Sequence, residues 1–141
     1  MDKSIVKNYI NLFSNLSHDN ISEFDNLISK DIIFADPFNN IKGINAFKNI
    51  FYHMFENVKE PRFFVLDYSI KIQRVFLKWK MTFFAFKSLQ TIEGMSELLL
   101  NNSGKVAVHT DYWDSLNGLF VKIPFFGYFY KVSLFLFKSK S

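Results

Sequence analysis

From Arg62 to Phe83 apolar and polar residues alternate. Leu66, Tyr68, Ile70 and Ile72 are interleaved with Asp67, Ser69, Lys71 and Gln73, and Leu77, Trp79, Met81 and Phe83 with Lys78, Lys80 and Thr82. A period of two predicts two half-buried strands. A third strand is expected over about Leu89 to Leu100 and a fourth from Val106, joined by Asn101-Asn102-Ser103-Gly104, a stretch with turn chemistry. Upstream the period lengthens. Ile5, Tyr9, Leu12, Phe13 and Leu16 form one stripe of an amphipathic helix. A second short helix is expected from Asn20 to Ser29, capped by Asp19 or Asn20 and burying Ile21, Phe24, Leu27 and Ile28.

The run from Ile32 to Phe38 reads as a short strand stopped by Pro37, which has no N–H for a sheet ladder. A loop over 39–43 follows. A third helix from about Ile44 to Val58 would bury Ile44, Phe47, Phe51, Met54 and Phe55. Helices followed by a run of strands predict an α+β domain in which helices cover one face of a mainly antiparallel sheet.

The fourth strand divides into two faces: Val106, Val108, Thr110 and Tyr112 on one, Ala107, His109, Asp111 and Trp113 on the other. The first is ordinary. The second sets an imidazole and a carboxylate between a methyl and an indole. Two residues apart on a strand, His109 and Asp111 have Cβ atoms separated by about 6.6–7 Å. That spacing suits two groups flanking one water or substrate atom better than a direct hydrogen bond.

The 141 residues are enough for one domain, and 49% of them are apolar. The 19 phenylalanines exceed what an interior of this size needs, so part of that aromatic surface should line a cavity or a contact. With no cysteine, disulfides and thiolate metal sites are excluded. The start carries charges at Asp2, Lys3 and Lys7 and no signal-like apolar run, which predicts a cytoplasmic protein.

The net charge of +4 lies wholly in the tail. Residues 1–114 hold 13 basic and 13 acidic side chains, and the excess is Lys122, Lys131, Lys138 and Lys140. With two arginines, Arg62 and Arg74, and no arginine-aromatic cluster, nucleic-acid binding has no support. The segment from Leu119 to Ser141 is rich in aromatics and, past Pro124 and Gly127, would form a helix apolar nearly all round. The chain therefore divides into a domain over 1–117 and an aromatic basic segment over 118–141. The expected cover for that segment is first its own domain, next a second copy in a homodimer, and last an anionic lipid surface met peripherally. The uncharged run from Ile123 to Tyr130 is far short of the roughly 20 residues that span a bilayer.

The element order resembles the nuclear-transport-factor-2-like superfamily. So do the words Tyr9-Ile10-Asn11-Leu12-Phe13, Phe34-Ala35-Asp36-Pro37-Phe38 and Asn101-Asn102-Ser103-Gly104-Lys105-Val106, together with a glycine before the third helix. Its members include SnoaL-like polyketide cyclases, ketosteroid isomerases and limonene epoxide hydrolases, and the likeness covers roughly residues 4–116. It implies a cone-shaped barrel: a curved sheet around an apolar pocket, covered by three N-terminal helices, here with an apolar C-terminal helix added. The ketosteroid isomerase pattern places a tyrosine at Tyr9, a general base at Asp36 and a second acid where this chain has Ser96, a poorer donor than a protonated carboxylic acid. The epoxide hydrolase pattern needs an arginine between aspartates, for which Arg74 has the parity. The same likeness turns Ala107, His109, Asp111 and Trp113 inward.

On that reading Asp36 is the base, Tyr9 hydrogen-bonds the developing charge, His109 shuttles the proton, and Asp111 fixes its tautomer or acts as a second base. Trp113, Ser96, Trp79 and Phe55 are the expected ligand contacts. The bland alternatives are an Asp36 that merely builds a turn, a Tyr9 that is core with its hydroxyl satisfied, and a hydrated His109-Asp111 rim. His18 is expected in solvent and His53 at a packing edge. No histidine pair has metal-ligand spacing, and the phosphate-loop and nucleophile-elbow motifs do not occur, so neither metal nor cofactor is expected. Two functions follow: a cofactor-free isomerase, cyclase or hydratase acting on a small hydrophobic molecule, or a non-catalytic binding module whose tail docks on a partner or membrane surface.

Overall fold

A computed structural model of the chain describes residues 3–123 with 128, 129 and 132. Helix α1 spans Ser4–Ser14 and buries Val6, Tyr9, Leu12 and Phe13. The second helix is a 3-10 helix, His18–Asn26, starting two residues earlier than expected because Asn20 Oδ1 accepts from the Ser17 N–H at 2.8 Å. Strand β1, Ile28–Ala35, ends before Pro37 as its missing donor requires. The expected loop contains a short strand, β2, Asn40–Lys42, which folds back antiparallel on β1.

Gly43 opens helix α2, Ile44–Asn57, at φ 102°, a backbone angle that a Cβ disfavours. Four strands follow: β3 Lys59–Lys71, β4 Arg74–Ala85, β5 Ser88–Leu100 and β6 Val106–Trp113. A short helix, α3, Ser115–Gly118, and a 3-10 turn, Phe120–Lys122, then carry the chain back over the sheet. Lys122 holds this segment by donating to Gln90 Oε1 at 2.6 Å.

The strands make one six-stranded mixed sheet in the order β2-β1-β6-β5-β4-β3, with β1 and β6 parallel and the other pairs antiparallel. The sheet is open, since β2 and β3 are its edges; the barrel expected from the resemblance is not closed. The apolar helix expected past Pro124 lies outside the described residues, apart from Tyr128, Phe129 and Val132, which are helical and exposed. No helix among the described residues is long and apolar enough to cross a membrane.

Two irregularities reset the alternation read from the sequence. In β3 the register shifts between Val65 and Asp67, so Phe63 and Val65 oppose the buried Met81 and Trp79 while Leu66, expected inside, is exposed. In β6 the shift falls at Ala107: Val106 opposes Leu100, yet Val108 opposes Leu99. Ala107 is the extra residue of a β-bulge. Val106 therefore takes the inward place expected for Ala107, and from His109 onward the odd positions face in. The expected inward parity of Arg74 is also corrected. Its neighbour Val75 is buried, and Arg74 pairs with Glu97 at 2.9 Å on the exposed side.

The core is aromatic. Phe47 of α2 lies edge-on to Phe24 at 5.1 Å between centroids and to Phe34 at 5.4 Å, and packs on Phe51 at 5.1 Å. Not all phenylalanines are inside. Phe64 and Phe84 stand on the exposed face, where Lys80 and Lys59 lie over their rings at 4.9 and 5.1 Å.

Candidate functional site

The inner face of β6 runs Val106, His109, Asp111, Trp113. Register with β5 sets His109 against Leu98, Asp111 against Ser96 and Trp113 against Gly94. A Cβ at Gly94 would meet the Trp79 ring at 2.5 Å, so a glycine there lets Trp79 lie flat across the strand. From that position Trp79 Nε1–H donates to Ser96 Oγ at 2.8 Å. Ser96 Oγ–H in turn donates to Asp111 Oδ1. His109 Nε2 lies 2.7 Å from the same carboxylate oxygen, and its Nδ1 lies 2.7 Å from the Tyr9 hydroxyl.

Counting protons fixes the direction of this chain. Tyr9 is 0% exposed, and its hydroxyl bonds to His109 Nδ1. A buried hydroxyl left without an acceptor costs about 1–3 kcal/mol, so the Tyr9 proton points at Nδ1 and the ring proton sits on Nε2. Every donor then runs toward one acceptor: Tyr9 to His109, His109 to Asp111, Trp79 to Ser96, Ser96 to Asp111. His109 is 3% exposed, while the side chain of Asp111 is 19% exposed. The carboxylate is the end of the network that reaches open space.

That space is a cavity of about 330 Å³ between α2, the inner sheet face and the segment after β6. It is within the range of small-molecule sites. Asp111, Trp113, Trp79, Phe34, Phe51 and Met81 line it, and Leu119 closes it from the returning segment. A second space of about 30 Å³, the size of one water, lies behind Asp111 against Ser96, His109 and Trp79.

The predicted site residues divide accordingly. Asp111, Trp113, Trp79 and Asp36 border the larger cavity; Ser96 and His109 border the smaller; Tyr9 borders neither, and Phe55 packs on the core outside both. The direct His109–Asp111 bond corrects the expected gap, because an imidazole and a carboxylate leaning along the strand bridge a separation that Cβ positions leave open. Tyr9 does not border the cavity; its hydroxyl meets His109 instead.

Asp36 builds a turn as the bland reading has it, while also facing the cavity. Its Oδ1 accepts from the Phe38 and Asn39 N–H groups at 2.7 and 2.6 Å, and both its oxygens lie 3.1 Å from Asn39 Nδ2. Asn39, Phe38 and His53 were missed as lining residues. The Asp36-Pro37-Phe38-Asn39 turn was a usable signal for the first two. His53 is exposed at the cavity edge, and His18 is exposed with its ring 5.1 Å from Tyr52. Among the described residues no cluster of three or more His, Asp or Glu is placed to hold a metal.

Burial pushes the Tyr9 phenol well above its ordinary 10.0, and the negative charge of Asp111 adds to the effect. The folded chain therefore keeps this proton where the unfolded chain loses it. Its contribution is complete below about pH 10 and falls as pH rises further, by up to about 1.4 kcal/mol per pH unit. Urea midpoints measured from pH 8 to 11 should decline more steeply for the wild type than for Tyr9→Phe; parallel curves would contradict the burial of the hydroxyl.

The sequence profile of the SnoaL-like domain family matches residues 6–109. No curated protein sequence matches the chain. Among solved structures, an NTF2-like protein of unknown function from Exiguobacterium sp. 255-15 is similar at 19% identity and a TM-score of 0.66, covering 78% of this chain and 98% of that one. An LEH-like epoxide hydrolase from M. tuberculosis is similar at 12% identity and a TM-score of 0.66, over 96% and 95% of the two chains. A hypothetical protein with a ketosteroid isomerase-like fold from Catenulispora acidiphila, in complex with trimethylamine, is similar at 10% identity and a TM-score of 0.70, over 86% and 93%. At these identities the likeness shows the fold.

Proposed function

The chain belongs to the SnoaL-like domain family, and from that premise we propose that its cavity takes a small, largely apolar molecule on which Asp111 moves a proton without a cofactor. The observation that carries this reading is the convergence of the buried donors on Asp111, whose carboxylate also borders the cavity. A base needs an open lone pair within reach of the proton it takes and a fixed orientation while taking it. His109 and Ser96 hold one oxygen, Oδ1, and the residue borders the cavity. Trp113 and Trp79 supply flat walls for the apolar body of the ligand.

The reaction class is proton transfer: an isomerisation, an aldol-type cyclisation, or the addition of a water activated by Asp111. This departs from the pattern of the ketosteroid isomerases, since Asp36 is engaged by its own turn and Asp111 takes the place of the base. The expected result is that a panel of small apolar compounds yields ligands that raise the melting temperature. Saturation to 100 times Kd is worth about 2.7 kcal/mol. Ligands with a carbon-bound acidic proton should exchange it for deuterium in heavy water when the protein is added. A panel without a single stabilising compound would refute the reading.

A further inference from the structure

We propose that the molecule this cavity takes is an apolar monocation, a tertiary or quaternary ammonium or an iminium, whose charged end sits between Asp36 and Asp111. The inference rests on reading the cavity as a ligand site and names the class of that ligand.

The walls carry charge of one sign. Asp36 and Asp111 both border the cavity, and among the described residues no lysine or arginine lines it. Three of the described cations are engaged elsewhere: Arg74 by Glu97, Lys48 by Asp25, Lys122 by Gln90. Among the described residues the one basic side chain at the boundary is His53, at its exposed edge. The two carboxylates are also neighbours. Parallel pairing sets Phe34 beside His109 and Ala35 beside Thr110, so the next residues in step on adjoining strands are Asp36 and Asp111. Strands lie about 4.8 Å apart. Two carboxylates bordering one cavity with apolar walls make a field that favours a positive guest. The surrounding rings favour it as well. Phe34, Phe38, Trp79 and Trp113 line the same space, and aromatic faces attract a desolvated ammonium.

The chemistry points the same way. Taking a proton from a neutral carbon acid would create an enolate next to Asp36, and that needs donors aimed at it. The donors beside the two carboxylates are already engaged, Tyr9 by His109, Ser96 by Asp111, Trp79 by Ser96 and the Asn39 amide by Asp36, while His53 stands at the exposed edge. With a cationic substrate no new negative charge arises. When Asp111 removes a proton from the carbon beside an iminium, the C–H pair becomes a C=C bond, the C=N pair moves onto nitrogen, and the product is a neutral enamine beside a protonated Asp111. Where the iminium carries a C=C bond next to the carbon deprotonated, that product is a dienamine, and returning the proton to its far carbon shifts the C=C bond into conjugation with C=N, restores the carboxylate and completes an isomerisation.

The test compares benzyltrimethylammonium with neopentylbenzene, which has carbon in place of the nitrogen and the same shape. Binding to the full-length chain is read from tryptophan fluorescence, because Trp79 and Trp113, the two tryptophans of the chain, both line the cavity. The cation should bind at least about tenfold more tightly than its neutral isostere. Asp111→Asn and Asp36→Asn, each checked for native circular dichroism, should cut that preference about threefold or more while leaving the neutral compound unchanged. A neutral probe that binds as well as the cation, or a preference that survives both substitutions, would overturn the proposal while the cavity stands as a ligand site. If neither probe binds, the reading of the cavity falls and this proposal falls with it.

Discussion

Asp111→Asn is expected to slow proton exchange on any ligand that the cavity accepts by about 10²–10⁴-fold, the usual contribution of a positioned general base. Asparagine keeps the shape of the side chain, and its carbonyl oxygen still accepts from His109 and Ser96, so the network in the wall persists. What is lost is the lone pair that receives a proton. The change should therefore appear chiefly in kcat, with KM raised about threefold or more for a cationic ligand and little moved for a neutral one, and the melting temperature should stay within a few degrees of the wild type. Asp36→Asn should cost less than about tenfold, because its carboxylate is engaged by the Phe38 and Asn39 donors of its own turn. The reverse ranking in the heavy-water exchange assay would return the role of base to Asp36 and reject the assignment made here.

The second large effect concerns the packing that holds the site. Phe47→Ala should destabilise the fold by about 3–5 kcal/mol, the range for deleting a buried phenyl ring. The side chain is 0% exposed and touches Phe24, Phe34 and Phe51, with the His109 ring 6.2 Å away between centroids. Four rings border the space that it would vacate, and aromatic side chains collapse poorly into such a gap. At this chain length the loss corresponds to a fall in melting temperature of roughly 10–15 °C. Urea titration gives the direct measure, with the midpoint lowered and the slope unchanged. A loss below about 1 kcal/mol would mean that the α2–β1–β6 layer repacks, and with it the wall behind His109.

Periodicity located the elements because each side chain's burial is decided locally by helix or strand geometry. The stripe of α1, the alternation of β4 and the turn before β6 are found within a residue or two of their predicted places. Where alternation fails, a bulge is the cause: Leu66 and Ala107 each add one residue to a strand, and no composition signal marks either. The second short helix expected over Asn20–Ser29 is a 3-10 helix over His18–Asn26, a form that burial of Ile21 and Phe24 does not distinguish at this spacing. Strand β2 lies in the expected loop because its three residues pair only once the chain has reversed at Asp36.

The site was legible as a set of residues and illegible as an arrangement. Tyr9 and Asp36 were picked out by the resemblance, and His109, Asp111 and Trp113 by residue type and strand face with the resemblance turning that face inward; all but Tyr9 border one of the two cavities. Their order is a tertiary matter. Tyr9 stands 100 residues from His109 along the chain, so α1 decides which ring nitrogen keeps its proton. Ser96 and Trp79 meet Asp111 through strand pairing, and the β1–β6 register brings Asp36 alongside it. The sequence by itself determined which faces are apolar and which residues can carry a proton, because those properties belong to single side chains and to repeats of a few residues. Which carboxylate the donors converge on, and that both carboxylates meet one cavity, is settled in three dimensions, because hydrogen bonds and burial depend on distances between segments that are remote along the chain.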